Sequence, residues 1–529
     1  MPIQPVLIAG QWRAARSSGV FHAENPATGE TLPGEYPVSA WADCNVALDA
    51  AVAAAEKLRA TPAGQIAQFL SLFADRLEAR ATEIVDIAHL ETALAKAPRL
   101  SQVELPRTTG QLRQAAAAVG EGSWALPTID TKLNIRSCLG PIGPVVVFGP
   151  NNFPFAYNCV SGGDFAAAIA SGNPVIGKAH PSHPATTRLI AEEAFAAVAA
   201  AGLPPATVQL IYHLSPDDGL RLIGDPRLGA AGFTGSRAAG LKLKVAADAA
   251  GKPIYLELSS LNPVIILPGA LDERASKIAD DFTGSCLLAT GQMCTNPGFI
   301  ILLAGPTTER FIAAVEQRFS SAAPAPLLSS GVARNLAASV QKLQSAGAQL
   351  IVGGAAPPGP GWRFANTLLR VDGARFLAES KALQTEAFGN ASIFVIVRDA
   401  AEAATVIDHL EGNLTGSIYS DTRGSDDALY AGLAPRLRQR VGRFLNDKMP
   451  TGVAVTAAMN HGGPYPATGH PGFTAVGIPA ALRRFAMLQC YDNVRSARLP
   501  PALRDRNPNG KMWRLIDGQM TQADAVPRS

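Results

Sequence analysis

The chain has 529 residues, 47% of them hydrophobic and 17% charged, enough apolar material for a large core shared among about two to four domains. A net charge of +3 excludes the basic field that nucleic acid or an anionic membrane surface demands. The six cysteines form no C-x-x-C pair, which argues against a disulfide framework and for reduced thiols in the cytoplasm.

The opening Met1-Pro-Ile-Gln-Pro has no basic region followed by an apolar run, so no signal peptide is expected. Short strands and turns are predicted over 1–40, and Ala-rich helices with Leu and Ile at three-to-four spacing over about 40–120. An extended arm is predicted over 122–142. Then the period changes. Strands are predicted at Val145-Val-Val-Phe148, Pro174-Val-Ile-Gly-Lys178, Val208-Gln-Leu-Ile-Tyr212, 228–234 and Pro253-Ile-Tyr-Leu-Glu-Leu258, with helices over 184–201, 216–224 and 236–250 between them. Such alternation across short loops means parallel βαβ units, which bind ligands at the carboxyl ends of their strands. A second α/β block runs from about 260 to 450, with strands at Val264-Ile-Ile-Leu, Gly298-Phe-Ile-Ile-Leu-Leu and Ile393-Phe-Val-Ile-Val397, helices over 310–319 and 333–346, and a surface loop over 353–361.

Two stretches, 137–163 and 282–308, carry no charged side chain. Gly, Pro, Asn and Gln break both, so neither reads as a membrane span; buried walls of a site are expected instead. Cys294 lies in the second, in Gly291-Gln-Met-Cys294-Thr-Asn-Pro-Gly298, where glycines leave a sulfur unshielded. A thiol so placed is a candidate nucleophile. The predicted strands of the first sheet end on further chemistry: Gly149-Pro-Asn-Asn152-Phe-Pro154, Lys178, Phe233-Thr-Gly-Ser236 opening a helix, and Glu257. A helix start at Ser236 suits an anion, although Gly235-x-x-x-x-Gly240 is equally compatible with a plain βα turn. Glu257 reads either as a buried general base or as a salt-bridged carboxylate at a sheet edge. His180-Pro-Ser-His183 has no Cys or carboxylate beside it, so no metal is expected there or elsewhere.

Taken together and in order, Pro150-Asn-Asn152-Phe-Pro154, Gly172-Asn-Pro-Val-Ile-Gly-Lys178, Phe233-Thr-Gly-Ser236, Leu256-Glu257-Leu-Ser, Gly291-Gln-Met-Cys294 and Glu386-Ala-Phe388-Gly resemble the NAD(P)-dependent aldehyde dehydrogenase superfamily. The closer resemblance is to α-ketoglutaric semialdehyde (2,5-dioxovalerate) dehydrogenases and to the NADP-linked fatty aldehyde dehydrogenase of luminous bacteria. It is carried by Leu258-Ser-Ser-Leu-Asn-Pro263, Cys294-Thr-Asn-Pro-Gly298, His461-Gly-Gly-Pro-Tyr-Pro-Ala-Thr468 and the tail Asn507-Pro-Asn-Gly-Lys-Met-Trp-Arg-Leu-Ile-Asp517. The usual family has Glu-Leu-Gly-Gly where this chain has Glu257-Leu-Ser-Ser.

The resemblance implies the α/β aldehyde dehydrogenase fold. A Rossmann-like cofactor domain would take 1–122 and 142–259, an α/β catalytic domain 260–450, a β-arm for oligomerisation 123–141 and 469–500, and a tail 501–529. It implies Cys294 as nucleophile, Asn152 with the Cys294 N–H as oxyanion hole, and Glu257 as the base for water. Lys178, His180, Ser182, Gly235, Ser236, Leu258, Glu386 and Phe388 would hold the cofactor. Many NAD-using relatives carry a Glu three residues after the lysine. Here Pro181 stands there, so NADP+ is expected to be preferred, with NAD+ as a second cofactor. For the substrate, Arg107 and Gln111 are the expected carboxylate anchors, with Phe153 and His461 as further contacts, His461 also reading as an auxiliary base or a plain loop histidine. A CoA-acylating relative, a thiol esterase and a catalytically idle homologue are the competing readings; the first lacks the Glu that activates water. A homodimer or homotetramer is expected, with a small-molecule aldehyde and neither nucleic acid nor membrane as partner.

Overall fold

A computed structural model describes residues 2–525. Five parallel strands run inward from one edge of a seven-stranded sheet in the order Ile254–Glu257, Ala230–Thr234, Val145–Phe148, Val175–Lys178 and Val208–Ile211. Antiparallel Val6–Ile8 and Gln11–Arg13 complete it. Val145–Phe148 is buried on both faces, as helices on either side of a parallel sheet require. The register sets Phe148 beside both Phe233 and Lys178, and Thr234 beside Glu257. The carboxyl ends predicted to carry chemistry therefore lie in one row.

The helices between them keep the predicted places, because their caps are local. Ser215 accepts from the Asp218 N–H at the start of Pro216–Gly224, and Ser236 from the Ala239 N–H at the start of Arg237–Ala249. The latter helix lies so close to the sheet that a Cβ on Gly240 would fall 2.4 Å from a Leu258 methyl.

The second seven-stranded sheet runs Gln349–Val352, Thr367–Asp372, Ala391–Val397, Phe299–Leu303, Val264–Ile266, Asn413–Tyr419 and Val441–Asn446, parallel but for the first strand. The sequence reading missed Asn413–Tyr419. All seven of its residues are buried, but Thr415, Gly416 and Ser417 interrupt the apolar run. A small sheet of Ser17–Phe21, Tyr36–Ser39 and His213–Leu214 flanks the cofactor side.

The arm sheet differs from its predicted boundaries. It is ordered Ala486–Asp492, Ile135–Pro141, Thr128–Asp130, Arg514–Ile516 and Gln519–Thr521, so the tail is part of it. Arg136 on the arm is the reason: buried, it donates to the Leu503 carbonyl at 2.6 Å and to the Asp505 carboxylate at 2.7 Å, while the Leu515 N–H donates to the Pro127 carbonyl. The last four residues of the tail, 526–529, lie outside the described residues. Residues 469–485, assigned to the arm from sequence, pack instead beside His461 and the cofactor sheet, through Gly469 to Leu256 and Ala475 to His461 backbone bonds. Among the described residues no helix is long and apolar enough to cross a membrane.

Candidate active site

The stretch 282–308 is a helix end, a strained turn and a strand. Ala289, Thr290 and Gly291 follow one another in the left-handed region, at φ 50°, 56° and 68°. For a β-branched residue such as Thr290 this costs on the order of 1–3 kcal/mol, so the surroundings must impose it. They do. A Cβ on Gly291 would sit 2.0 Å from the Gly389 carbonyl oxygen, so only glycine lets the two segments touch. Three residues on, the Asn262 amide donates to the carbonyls of Cys294 and Asn296, both at 2.9 Å. Asn262 is itself fixed, its N–H and that of Leu261 donating to the Asn413 side-chain oxygen. The link between the two sheets thus clamps the Cys294 turn.

Glu257 ends its strand 2% exposed and is tied by a backbone bridge to Thr468; the flanking Leu258 N–H donates to the Ala467 carbonyl at 2.8 Å. That bridge brings in His461, whose N–H donates to the Thr474 hydroxyl at 2.9 Å. His461 Nε2 lies 2.8 Å from Glu257 Oε1 and 3.5 Å from Cys294 Sγ. One ring nitrogen serves both partners, so it either donates to the carboxylate or accepts from the thiol. Burial, and then the Glu257 charge, push the Cys294 thiol well above its usual range, while the Arg107 and Arg443 charges pull it down. The thiol is therefore protonated at rest, with an imidazole nitrogen within reach of its proton. The Asn152 amide donates to the Gln292 carbonyl at 2.9 Å, two residues before Cys294, and its second N–H remains for a ligand.

On one side of this turn, Glu386 and Phe388 line a small cavity with Ser260, Gly291, Met293 and Asn296. Burial raises the Glu386 carboxyl to about 7 despite donors from Ser259 and Ser260. Farther along the row of strand ends, burial lowers Lys178 to about 8. His180 is held well below its usual value by burial and by His183, Lys178 and His213, and it accepts from the Ser182 N–H at 3.1 Å. Gly235 donates its N–H to the Glu257 carbonyl, and Ser236 caps the next helix. No carboxylate ion-pairs with Lys178 among the described residues, and His213 Nδ1 is buried with no partner there. A buried lysine among neutral donor groups, with glycine at the close approach, fits a dinucleotide phosphate.

On the opposite side opens a cavity of about 910 Å³ walled by Arg107, Phe153, Leu287, Met293 and Val453 among others. The Arg107 guanidinium donates to the Tyr157 hydroxyl at 2.9 Å and lies over the Phe153 and Tyr157 rings at 5.5 and 5.1 Å. Gln111 does not reach this cavity. It is buried behind the 153–157 loop, bonded to the Ala156 carbonyl, because that loop folds over the helix face it shares with Arg107. Of the two carboxylate anchors drawn from sequence, Arg107 stands in the cavity wall and Gln111 does not.

A model of the aldehyde dehydrogenase family matches residues 12–432. The chain is 37% identical to alpha-ketoglutaric semialdehyde dehydrogenase 2 of Azospirillum brasilense, over 98% of this chain and 100% of that one. The chain belongs to the aldehyde dehydrogenase family. It is 36% identical to the alpha-ketoglutaric semialdehyde dehydrogenase of Acinetobacter baylyi, over 90% and 91% of the two chains. The fold matches that of a 1-pyrroline-5-carboxylate dehydrogenase from Thermus with bound NAD, at a TM-score of 0.79 and 23% identity, over 92% of each chain. As a member, it is an oxidoreductase that oxidises aldehydes to acids.

Three residues of the candidate site escaped the sequence reading, and a fourth was left with several readings. His461 was read as a substrate contact, an auxiliary base or a loop histidine; its ring lies between the Cys294 sulfur and the Glu257 carboxylate. Asn262 stood in a quoted motif without a role. Arg443 sits in the strand Val441–Asn446, anchors the cavity loop through the Gly452 carbonyl at 3.0 Å, and bears on the Cys294 charge. A lone arginine in a half-buried strand was the available signal. His213 follows a strand end, as Lys178 does, and was passed over because nothing flanked it.

Proposed function

We propose that the enzyme oxidises 2,5-dioxopentanoate, α-ketoglutaric semialdehyde, to the dicarboxylate with NADP+. The observation that carries the mechanism is the Cys294–His461–Glu257 chain, at 3.5 and 2.8 Å. His461, backed by Glu257, takes the thiol proton as Sγ bonds to the aldehyde carbon. The oxyanion forms against the Asn152 amide and the Cys294 N–H. NADP+, held by Lys178, Ser236 and Glu386, would supply the hydride acceptor by which the Cys294 thiohemiacetal becomes a thioester. Glu257, through its buried second oxygen, then takes a proton from the water that attacks the acyl carbon, and Cys294 leaves as thiolate. A carboxylate poised beside the thioester favours water over CoA as the acyl acceptor.

The substrate carboxylate is held by Arg107, with Phe153 beside it and Arg443 as a second cation. The names of the two relatives above 35% identity support this choice. Lys178, His180 and Ser182, with Pro181 in place of a carboxylate, would accept the 2′-phosphate, and His213 completes that group. Glu386 would bond the nicotinamide ribose and Phe388 pack beside the ring, while Gly235, Ser236 and Leu258 border the pyrophosphate. The strand Ala486–Asp492, an edge with Leu488 67% exposed, supports assembly through the arm into a dimer or tetramer. The large and mostly apolar cavity favours a second reading, an aliphatic aldehyde as substrate.

Initial rates decide these points. With 2,5-dioxopentanoate and with hexanal, kcat/KM is expected to favour the semialdehyde; a preference for hexanal overturns the substrate. With both cofactors, a kcat/KM ratio favouring NAD+ overturns the NADP+ assignment.

A further inference from the structure

Glu257, Cys294 and His461 do more than form a proton path. They bring one carboxylate oxygen, one sulfur and one imidazole nitrogen within 4.8 Å of one another. Zinc bonds to thiolate at about 2.3 Å and to imidazole at about 2.0–2.1 Å, so a tetrahedral site sets those two atoms about 3.5 Å apart. Sγ and Nε2 are 3.5 Å apart here. Nε2 and Oε1, at 2.8 Å, are about half an ångström closer than the same geometry asks, which a small turn of the carboxylate supplies. Glu257 Oε2 is buried with no hydrogen-bond partner among the described residues, so the carboxylate is held at one oxygen only. The three side chains come from a strand end, a turn and a loop, each pinned by backbone bonds. The site is therefore formed before any ion arrives.

We infer that this trio binds a soft divalent cation of the Zn2+ class and that binding shuts the enzyme off. Cys294 gives up its thiol proton to solvent, and sulfur, Nε2 and a carboxylate oxygen become three ligands with water as the fourth; no electron moves. Nucleophile, proton acceptor and water-activating base are all occupied at once. Arg107 and Arg443 act against the incoming charge and moderate the affinity. Mg2+ and Ca2+ are refused, because they take six or more oxygen ligands. The inference rests on the proposed mechanism for its effect on activity, and on the geometry alone for the binding.

The test uses the full chain carrying Cys490→Ser, which removes the exposed thiol outside the site. Zn2+ is titrated against a chromophoric chelator, and iodoacetamide labelling of Cys294 is followed by peptide mass spectrometry. One equivalent is expected to bind, to protect Cys294, and to be removed by EDTA, while Mg2+ protects nothing. Cys294→Ser, Glu257→Gln and His461→Asn should each weaken Zn2+ by at least about tenfold. Absence of protection in the parent, or His461→Asn and Glu257→Gln holding Zn2+ as tightly as the parent, overturns the inference. Aldehyde oxidation without Zn2+ binding sinks this inference alone. Zn2+ binding in a protein that oxidises no aldehyde sinks the proposed function instead.

Discussion

The two ends of the candidate site are built on opposite plans. At the proposed chemical end Cys294, Glu257 and His461 are each fixed through the backbone as well as by their own hydrogen bonds. Asn262 holds the Cys294 turn, the Thr468 bridge holds Glu257, and Thr474 holds His461. At the outer end a cavity of about 910 Å³ is walled mainly by aliphatic side chains, with Leu288 47% exposed at its rim. The few polar groups there work through each other, as Arg107 does through Tyr157 and two aromatic faces. A transition state needs atoms held to a fraction of an ångström, whereas apolar walls exclude water without fixing a geometry. Changes at the chemical end should therefore act on kcat and changes at the outer end on KM.

The largest effect is expected from Cys294→Ser. Aldehyde oxidation should fall by at least about a thousandfold while cofactor affinity, read by fluorescence titration, stays unchanged. Residual turnover within tenfold of the parent would place the nucleophile elsewhere. Glu257→Gln should slow turnover by on the order of 10²–10³ and let the acyl-enzyme accumulate, seen as a burst of reduced cofactor followed by a slow phase. A uniformly slow trace without a burst would assign Glu257 to the attack rather than to hydrolysis. Arg107→Ala sharpens the contrast from the other end. KM for a semialdehyde acid should rise about 10–100-fold and KM for hexanal should not, with kcat nearly constant. An equal effect on both aldehydes would make Arg107 a structural brace of the Phe153 loop.

The smallest effect concerns Glu386, whose carboxyl burial raises from 4.5 to about 7. Between those values the folded protein holds a proton that the unfolded chain has released. The stability this lends is complete below pH 4.5 and lost as pH rises through about 7. Glu386→Gln should flatten the fall in thermal stability over that window by up to about one proton, measured as Tm against pH. An unchanged slope would mean that Glu386 is hydrated and free to ionise.

Much of the chemical end was legible in the sequence. Cys294 stood out because its neighbours are bare of charge, and Glu257 and Asn152 because strands of a parallel sheet end there. Those signals are local, since a strand end or a glycine turn is visible within a few residues. His461 was legible as an auxiliary base, a substrate contact or a loop histidine, with nothing local to choose among them. Its bonding to Glu257, 204 positions away, depends on a bridge to Thr468 that no local pattern announces. Arg107 could be picked as a charged residue on a tunnel-lining helix, but its neighbour one turn on, Gln111, is turned behind a loop.

Composition and periodicity by themselves determined the parallel sheet, the capped helices that follow its strands, and the uncharged walls around a thiol. These depend on φ/ψ preference, capping and burial, which act between near neighbours. Tertiary structure alone decided that one ring nitrogen would stand between sulfur and carboxylate, that Arg443 would share the field of Cys294, and that the tail would join the arm. Each of these is set by where distant segments come to rest against each other, and packing of the whole core, rather than any single segment, determines that.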